Sequence, residues 1–288
     1  MLIKMQVGEQ DRGELQVNVT DSDNAPIRDA RVTISEPETA INPNSPIERL
    51  ETDVSGQTQI VDLNTPPLEY SLNENNENMP YANYNIQIEA PGYETENISN
   101  VEILPDSLSL QDVRMRRREG EQVENIDIDP HTLYAEYPEK IPEDEIKDVN
   151  EPGEIVLSRV VIPEYVVVHN GTPSSNARDY YVTYKDYIKN VASSEIYATW
   201  PRATIEANVL AIMSFTLNRV YTEWYRNKGY NFNITTSTAY DQKWVHNRNI
   251  FDTINRICST PDIMKCLTNS CINLCCISSQ SPTFNLCR

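Results

Sequence analysis

Hydrophobic and polar residues alternate over short stretches in the first part of the chain. Leu15, Val17 and Val19 occupy every second position of one stretch, and RVTI begins a second stretch of the same kind. Alternation with a period of two is typical of β-strands that bury one face. Further strand candidates are 59–63, 84–90 and 113–115. Roughly seven short strands separated by turns predict an all-β sandwich over residues 1–115.

Turn-forming residues separate the predicted strands. The cluster DSDNAP follows the first strand, and Gly56 lies in TDVSGQTQI, directly before another candidate. Glycine adopts the positive φ angles of tight turns at little steric cost, so a turn is expected at this position.

The apolar spacing changes after residue 154. IVLSRVVIPEYVVVHNG predicts one or two strands, YKDYIKNVASSEI predicts a short helix, and NFNITTSTAYDQKW predicts a strand or an ordered loop. Between them, spacings of three and four predict an amphipathic helix over 202–228 that begins after Pro201 and ends at Gly229. Its apolar positions are Ile205, Val209, Ile212, Met213, Leu217, Val220 and Trp224. The second region, 155–257, is therefore predicted to be α+β.

Charge divides the chain in the same place. Residues 1–154 hold 34 of the 43 acidic residues and 11 of the 24 basic ones. The acidic half would repel phosphates, which argues against nucleic-acid binding by the whole chain, whereas the mildly basic second half suits an anionic polymer. Residues 116–154 are rich in charge and Pro and predict an extended linker. Its Arg116–Arg118 cluster is either a protease target or a solvated basic patch.

The two ends of the chain differ from the rest. The N-terminus has no apolar run typical of a secretory signal, and no stretch reaches the roughly 18 to 20 apolar residues that a membrane span needs. We therefore expect synthesis inside a cell and no membrane span. All six cysteines lie within 258–288, at spacings typical of neither zinc sites nor a known disulfide framework. This segment is predicted to be disordered and resembles out-of-frame translation; the alternative is a lineage-specific tail with a redox or disulfide role.

Nine carboxylate side chains follow residue 154, and Glu195 differs from the others in its neighbours. It lies in ASSEIYATWP, and an apolar, aromatic setting is what raises a carboxyl pKa and makes a general acid. A lone Glu near a helix end is more often solvated, so the context alone gives this residue little weight. His169 and His246 lack a paired nucleophile motif and are interpreted as ordinary polar residues.

The first region resembles carboxypeptidase regulatory-like, transthyretin-like domains. The similarity lies in APIRDARVTI, TDVSGQTQI and YNIQIEAPGYE. In that family such a module is usually structural or a pro-region, so the resemblance implies a fold and little else.

The second region resembles the stage II sporulation protein D domain. The matching segments are YIKNVASSEIYATWPRATIEANVLAIMSFTLNR and STAYDQKW, and with IPEYVVVHNGTP and TEWYRNKGYNF they are similar to the precursors of spore cortex-lytic enzymes. The resemblance covers residues 13–256. It implies a lytic transglycosylase that cleaves the β-1,4 bond between N-acetylmuramic acid and N-acetylglucosamine in peptidoglycan, with Glu195 as the catalytic acid and no cofactor.

Further site residues follow from the same resemblance. Expected substrate contacts are Tyr197, Trp200, Asn208, Ser237, Thr238, Asp241, Gln242 and Trp244. Asp241 is the best candidate for a second acid, and a structural role is the alternative for Trp244. Some relatives carry a His-Cys metal pair where this chain has Tyr240 and Asp241, so no metal is predicted.

Spore cortex-lytic precursors also imply a biological setting. The expected roles are cortex degradation during germination, location in the cortex or coat region of the spore, and activation of a zymogen by a subtilisin-like protease. Two alternatives remain open: an inactive remnant of a truncated enzyme, and a non-enzymatic protein that binds cell-wall carbohydrate.

Overall fold

The computed structural model describes residues 10–37, 45–118, 123–146, 161–261 and 263. The described chain is rich in β-structure, with several sheets and a few helices, and it divides into two compact units. The first unit contains the chain up to Pro130 together with Tyr197–Trp200 and His246–Thr253. The second contains His131–Ile196, Pro201–Val245 and the chain from Ile254 onward. The predicted β-rich, multidomain layout is compatible with this arrangement.

The described elements follow one another along the chain. The strands are β1 Asp11–Asp21, β2 Arg31–Ser35, β3 Pro46–Glu51, β4 Val61–Thr65, β5 Ala82–Glu89, β6 Thr95–Ile103, β7 Leu108–Met115, β8 Val123–Asp127, β9 Tyr165–His169, β10 Asp179–Thr183, β11 Ile234–Thr235 and β12 Ile250–Phe251. The helices are α1 Glu69–Leu72, α2 Glu143–Ile146, α3 Tyr184–Glu195, α4 Arg202–Tyr221 and α5 Asp252–Ser259, with a short 3-10 helix at Arg226–Lys228.

Two sheets form the first unit. One has the strand order β3-β2-β5-β6-β8, and the other has the order β12-β7-β1-β4. Leu15, Val17 and Val19 of β1 are fully buried, as are Val32 and Ile34 of β2, so the alternation in the sequence marks the faces that make the core. Each such side chain contributes about 1.5–3 kcal/mol when it is removed from water.

Gly56 lies in the predicted turn with a φ angle of 76°. An added Cβ at this position would lie 2.4 Å from the carbonyl oxygen of Val19, so the close approach of the backbone also requires a glycine.

Among the described strands, the sequence prediction missed β3, β6, β8, β10 and β12. β3 and β8 are edge strands with mostly exposed or partly exposed side chains, so they lack the buried alternation that identifies β1. β6 lies inside a sheet but is interrupted by Asn100, which has a φ angle of 62°. β8 lies in the segment predicted as an extended linker, and it pairs in parallel with β6 from Thr95↔Val123 to Ser99↔Asp127.

A short segment far along the chain completes the first unit. β12 pairs antiparallel with β7, with Ile250 opposite Leu110. Arg248 forms a buried ion pair with Glu102, and the Nδ2 of Asn249 donates to the carbonyl oxygen of Glu102 at 2.8 Å. The apolar pattern gave no sign of this pairing, because a two-residue strand has no periodicity to detect.

The second unit places helices beside a small sheet of order β10-β9-β11. Thr183 caps α3, since its Oγ1 accepts from the Asp186 N–H at 3.2 Å and donates to the Asp186 carboxylate at 2.7 Å. α4 begins after Pro201, as expected, but it ends at Tyr221 rather than 228. Glu223 has a left-handed φ of 50°, which stops the helix although the apolar spacing continues to Trp224.

No helix among the described residues is both long enough and apolar enough to cross a lipid bilayer.

Candidate active site

Glu195 is the last residue of α3, and its side chain is partly buried. Its neighbours Ser194 and Ile196 are buried, so the helix end is fixed in the interior of the second unit. The Lys243 backbone N–H donates a hydrogen bond to Glu195 Oε1 at 2.7 Å. This bond orients the carboxyl group, and it leaves Oε2 as the oxygen that can carry a proton.

The environment of Glu195 favours the protonated form. Burial raises the pKa of Glu195 to about 7, while the Lys243 N–H and the positive charge of Lys140 act in the opposite direction. A carboxyl group with a pKa near neutrality is suited to general acid catalysis, because both of its protonation states are populated at physiological pH. The aromatic and apolar setting seen in the sequence is consistent with this shift.

Residues 131–146, which we call the strap, run past this carboxyl group within the second unit. The N–H and Oγ1 of Thr132 donate to the carbonyl oxygen of Ser194 at 3.1 and 3.0 Å. The Ile141 N–H donates to the carbonyl oxygen of Ala239 at 2.8 Å. The strap is thus hydrogen-bonded to Ser194, which precedes Glu195 in the sequence, and to Ala239, which lies four residues before Lys243.

Two side chains of the strap also lie near the site. Lys140 is close enough to Glu195 to lower the pKa of that carboxyl group, and its ammonium lies 4.6 Å from the centre of the Phe215 ring. The ammonium of Lys243 lies 4.7 Å from the centre of the Tyr137 ring. Sequence reasoning assigned all of this segment to an extended linker, because its charge and Pro content hide these contacts.

Asp241, the candidate second acid, is committed to a buried ion pair. Its Oδ1 accepts from Arg219 Nε at 2.8 Å, and neither side chain is exposed. Its Oδ2 accepts from the Tyr225 hydroxyl at 2.6 Å and from the N–H and Oγ1 of Thr235 at 2.9 and 2.7 Å. Both oxygens are therefore held by protein donors, which fits a structural role better than proton transfer.

Gln242 lies in the interior between helices. Its Oε1 accepts from Thr216 Oγ1 at 3.0 Å and from the Tyr187 hydroxyl at 3.4 Å, and its Nε2 donates to the Ile212 carbonyl oxygen at 3.3 Å. Burial raises the pKa of Tyr187 well above its usual value, so the hydroxyl remains a neutral donor. The amide thus joins α3 to α4.

The other predicted substrate contacts of the second unit lie on α4 and in the irregular segment after β11. Asn208 is partly buried on α4 and donates to the Thr204 carbonyl oxygen at 2.9 Å. Ser237 and Thr238 are partly buried in the turn after β11, where the Ser237 carbonyl oxygen accepts from the Asp241 N–H at 2.8 Å. Trp244 is buried, and its ring centre lies 5.2 Å from that of Tyr180.

Tyr197 and Trp200 belong to the first unit, whereas Glu195 belongs to the second. The two rings meet edge to face, with centres 5.8 Å apart. Trp200 Nε1 donates to the Ser71 carbonyl oxygen at 2.9 Å, and Thr199 Oγ1 donates to Ser71 Oγ at 2.8 Å. The sequence analysis predicted that Tyr197 and Trp200 contact the sugar. The contacts described within the first unit are those of the two rings with each other and of Trp200 with Ser71.

His169 is part of an arrangement that sequence reasoning missed. Its Nδ1 lies 2.7 Å from Asp179 Oδ1, and its Nε2 lies 3.1 Å from Ser175 Oγ. The pairing of β9 with β10 places His169 opposite Asp179. The spacing of these three residues matches no familiar motif, so the strand register was the missing information. His246, the other histidine considered, lies in the first unit.

Cys258 is buried in α5, and burial raises the pKa of its thiol to about 12. A thiol of this kind remains protonated and is a poor nucleophile or metal ligand. The tail predicted to be disordered, 258–288, begins at this residue, and its first two residues, Cys258 and Ser259, are helical. The other five cysteines and the rest of the tail beyond Ile263 lie outside the described residues.

Comparison with known proteins leaves the family open. No family model matches the sequence, and no curated protein matches it significantly. Similar solved structures include catechol 1,2-dioxygenase of Acinetobacter radioresistens, with 14% identity, 41% of this chain and 58% of that chain covered, and a TM-score of 0.26. The minor pilin GBS52 of Streptococcus agalactiae is 16% identical, with 39% of this chain and 48% of that chain covered and a TM-score of 0.27. The Bacillus anthracis TIE protein is 13% identical, with 37% of this chain and 17% of that chain covered and a TM-score of 0.24. The chain thus spans little more than half of the dioxygenase and about a sixth of the TIE protein, and scores this low carry no functional argument.

Proposed function

We propose that this protein is a precursor of a peptidoglycan lytic transglycosylase, with Glu195 as its catalytic acid and base. The observation that carries the proposal is the partly buried carboxyl group at the end of α3, whose pKa is raised to about 7. The segments that resemble the stage II sporulation protein D domain surround this residue in the sequence, and they supply the reaction class. The substrate is then the glycan strand of the spore cortex.

Glu195 performs both proton transfers in this mechanism. Its protonated carboxyl group gives a proton to the glycosidic oxygen while the bond from that oxygen to C1 of the muramoyl residue breaks. The resulting carboxylate takes the proton of the muramoyl 6-hydroxyl, and O6 forms a bond to C1. The products are an N-acetylglucosamine chain end with a free 4-hydroxyl and a 1,6-anhydromuramoyl end, and Glu195 regains its proton.

The hydrogen bonds of Asp241 support a mechanism with one carboxylate, because both of its oxygens already accept from protein groups. A hydrolase with two acids needs the second carboxylate within roughly 5 to 9.5 Å of the first and free to activate water or attack the sugar. Asp241 instead neutralises Arg219 in the interior, with both oxygens bonded to protein groups. Internal attack by the 6-hydroxyl avoids the need for such a residue.

The strap supports the idea that the protein is made in a latent form. Thr132 is hydrogen-bonded to Ser194, the residue before Glu195, and Ile141 is hydrogen-bonded to Ala239, in the segment that leads to Lys243. A glycan needs a continuous groove, so we propose that the strap is displaced when a subtilisin-like protease acts. Cleavage at Arg116–Arg118 would leave the strap covalently joined to the second unit, whereas cleavage after Ile146 would free its C-terminal end.

The finer fold assignments are part of the same proposal. The first unit would correspond to a transthyretin-like, carboxypeptidase regulatory-like pro-region, and the second to a stage II sporulation protein D-like catalytic domain. The protein would then be deposited in the cortex or coat region of the spore and act in germination.

The test is mass spectrometry of decoated spore peptidoglycan after incubation with the protease-treated protein. We expect 1,6-anhydromuramoyl products from the wild type, and a loss of about a hundredfold or more in Glu195→Gln, because general acid catalysis is removed. Glu164→Gln, the same change at an exposed position, is the matched control and should leave the products unchanged. Equal activity of the Glu195→Gln variant would exclude this residue, and a folded wild type that binds glycan without cleaving it would favour the carbohydrate-binding alternative.

A further inference from the structure

A second group of reactive side chains lies at the edge of the small sheet, and the proposed glycan mechanism does not use it. The imidazole of His169 stands between two partners, with Nδ1 2.7 Å from Asp179 Oδ1 and Nε2 3.1 Å from Ser175 Oγ. A hydroxyl, an imidazole and a carboxylate in this order, within hydrogen-bond reach of one another, are the components of a serine nucleophile with its base and its orienting acid.

The sheet and the loop fix these groups for reasons that can be read from the backbone. His169 ends β9 and Asp179 begins β10, and the antiparallel register places them opposite each other. The ring of His169 stacks on Phe232 with centres 4.5 Å apart, and only 5% of the residue is exposed. In the tautomer with its proton on Nδ1, the imidazole donates to Asp179 and turns the Nε2 lone pair toward Ser175.

The loop between the two strands presents the serine. The Ser175 N–H and hydroxyl both donate to the Thr172 carbonyl oxygen, at 2.9 and 2.7 Å, which holds the loop in a tight turn. For attack on an ester, the hydroxyl proton turns from Thr172 to His169 Nε2, which lies 3.1 Å from Ser175 Oγ. A Cβ on Gly171 would lie 2.5 Å from Ser175 Oγ, so a glycine is needed to leave space for the hydroxyl. Thr172, Ser174 and Asn176 are exposed, which places this turn at the surface, where a substrate can reach the partly buried Ser175.

We propose that Ser175, His169 and Asp179 form an esterase site, separate from Glu195, that takes carboxylic esters. Ser175 Oγ bonds to the ester carbonyl carbon while its proton moves to His169 Nε2, and the carbonyl electrons move to the oxygen. The intermediate collapses as the bond to the alcohol oxygen breaks, and that oxygen takes the proton from Nε2. Water then attacks the acyl-serine with His169 as base, which releases the carboxylic acid and returns the proton to Ser175.

The neighbourhood favours an ester with an apolar or aromatic group. Tyr181 lies two residues beyond Asp179 on β10, on the same face of the strand, and it is 77% exposed. Its ring offers a flat apolar surface beside the polar loop for an acyl chain or an aryl group. Asp179 itself keeps a third of its side chain exposed, which is consistent with a surface site open to small esters.

The experiment treats the full-length protein with a fluorophosphonate probe and locates the label by tandem mass spectrometry, with hydrolysis of p-nitrophenyl acetate as a second readout. We expect a label on Ser175, no label in Ser175→Ala, and a rate of labelling at least tenfold lower in Asp179→Asn, which keeps the shape of the side chain and changes the tautomer preference of His169. Ser174→Ala, a change at the exposed neighbouring serine, should label and hydrolyse at the wild-type rate.

Two results would overturn the site. One is a wild-type protein that stays unlabelled on Ser175. The other is Asp179→Asn labelling at the wild-type rate while circular dichroism shows it folded, which would mean that the three side chains only hold the loop in place. The label reports on the serine and not on glycan products, so failure of this proposal is distinct from failure of the glycan activity.

Discussion

At the scale of single residues, burial sets the protonation of two carboxyl groups in different units. Burial raises the pKa of Glu195 to about 7 in the second unit. Burial also raises the pKa of Glu96 to about 7 in the first unit, where the nearby Glu124 carboxylate adds to the effect and Arg116 opposes it. The first group lies among the residues of the proposed active site, and the second lies in a strand that carries no proposed chemistry.

The raised pKa of Glu195 predicts the pH dependence of glycan cleavage. The proposed first step needs the protonated carboxyl group, which is populated below a pH of about 7 and is lost above it. We expect kcat/KM to fall about tenfold per pH unit above that value, measured as anhydromuramoyl ends released from peptidoglycan. A rate that stays constant from pH 6 to pH 9 would show that another group supplies the proton.

The raised pKa of Glu96 predicts the pH dependence of stability. Because the folded-state pKa lies above the usual value of 4.5, the folded protein holds the proton more tightly, and this stability is lost as the pH rises through about 7. Glu96→Gln removes the ionisable group, so its gain in the free energy of unfolding over the wild type should be larger at pH 8 than at pH 5. We expect a difference on the order of 2 kcal/mol between the two pH values in urea titrations. Glu48→Gln on the exposed face of β3 is the control, and an equal response of both variants would contradict the assignment.

At the scale of elements, two ion pairs of the second unit differ in burial. The Arg219–Asp241 pair joins α4 to the turn after β11 and is fully buried, whereas the Arg202–Glu206 pair lies on the surface of α4 with Arg202 68% exposed. A buried charge that loses its partner costs far more free energy than an exposed one. Hence these pairs should contribute very differently to stability.

Removal of one carboxylate from each pair tests this difference. Asp241→Asn should lower the free energy of unfolding by about 3–5 kcal/mol, because the Arg219 guanidinium stays buried without its counter-charge. Glu206→Gln should change it by less than about 1 kcal/mol. Thermal and denaturant unfolding followed by circular dichroism would give both values, and similar losses in the two variants would refute the argument.

Elements with regular patterns were predictable from the sequence, and those defined by distant partners were not. The alternation around Val17 gave β1, the segment YKDYIKNVASSEI gave α3, and the apolar spacing after Pro201 gave the start of α4. The strand β12 depends on partners far away in the chain, which no local pattern encodes. The same holds for the site: the apolar neighbours of Glu195 in the sequence gave only weak support for a raised pKa, because a Glu near a helix end is more often solvated. The strand register that joins His169 to Asp179 was hidden.

At the scale of the whole molecule, the proposed activation would depend on where the chain is cut relative to the strap. The strap runs from His131 to Ile146 and is hydrogen-bonded to Ser194, next to Glu195, and to Ala239. A cut before the strap leaves both of its anchors covalently connected to the second unit. A cut after Ile146 leaves the C-terminal part of the strap held to the second unit by non-covalent contacts, which include the packing of Ile146 against Trp224 and its apolar neighbours.

Engineered cleavage sites distinguish the two positions. We expect a site for a specific protease placed within 148–153 to give a rise of at least tenfold in anhydromuramoyl release after cutting. The matched variant has the same site within 119–122 and should show little change. Equal activation by both cuts, or by neither, would show that the strap does not limit access to Glu195.

The late position of β12 also governs how the protein can be made. Ribosomes extend a chain by roughly 5 to 20 residues per second, and domains generally begin to fold as soon as they emerge. The first unit is an exception, because Glu102 meets the guanidinium of Arg248 only after a further 146 residues have been added. During that interval the outer edge of β7 has no neighbour from β12, and an unpaired edge is where other chains can attach. A nascent chain of this protein therefore stays vulnerable until residues 248–251 have been synthesised, and a bound chaperone at that edge would be of most use before then.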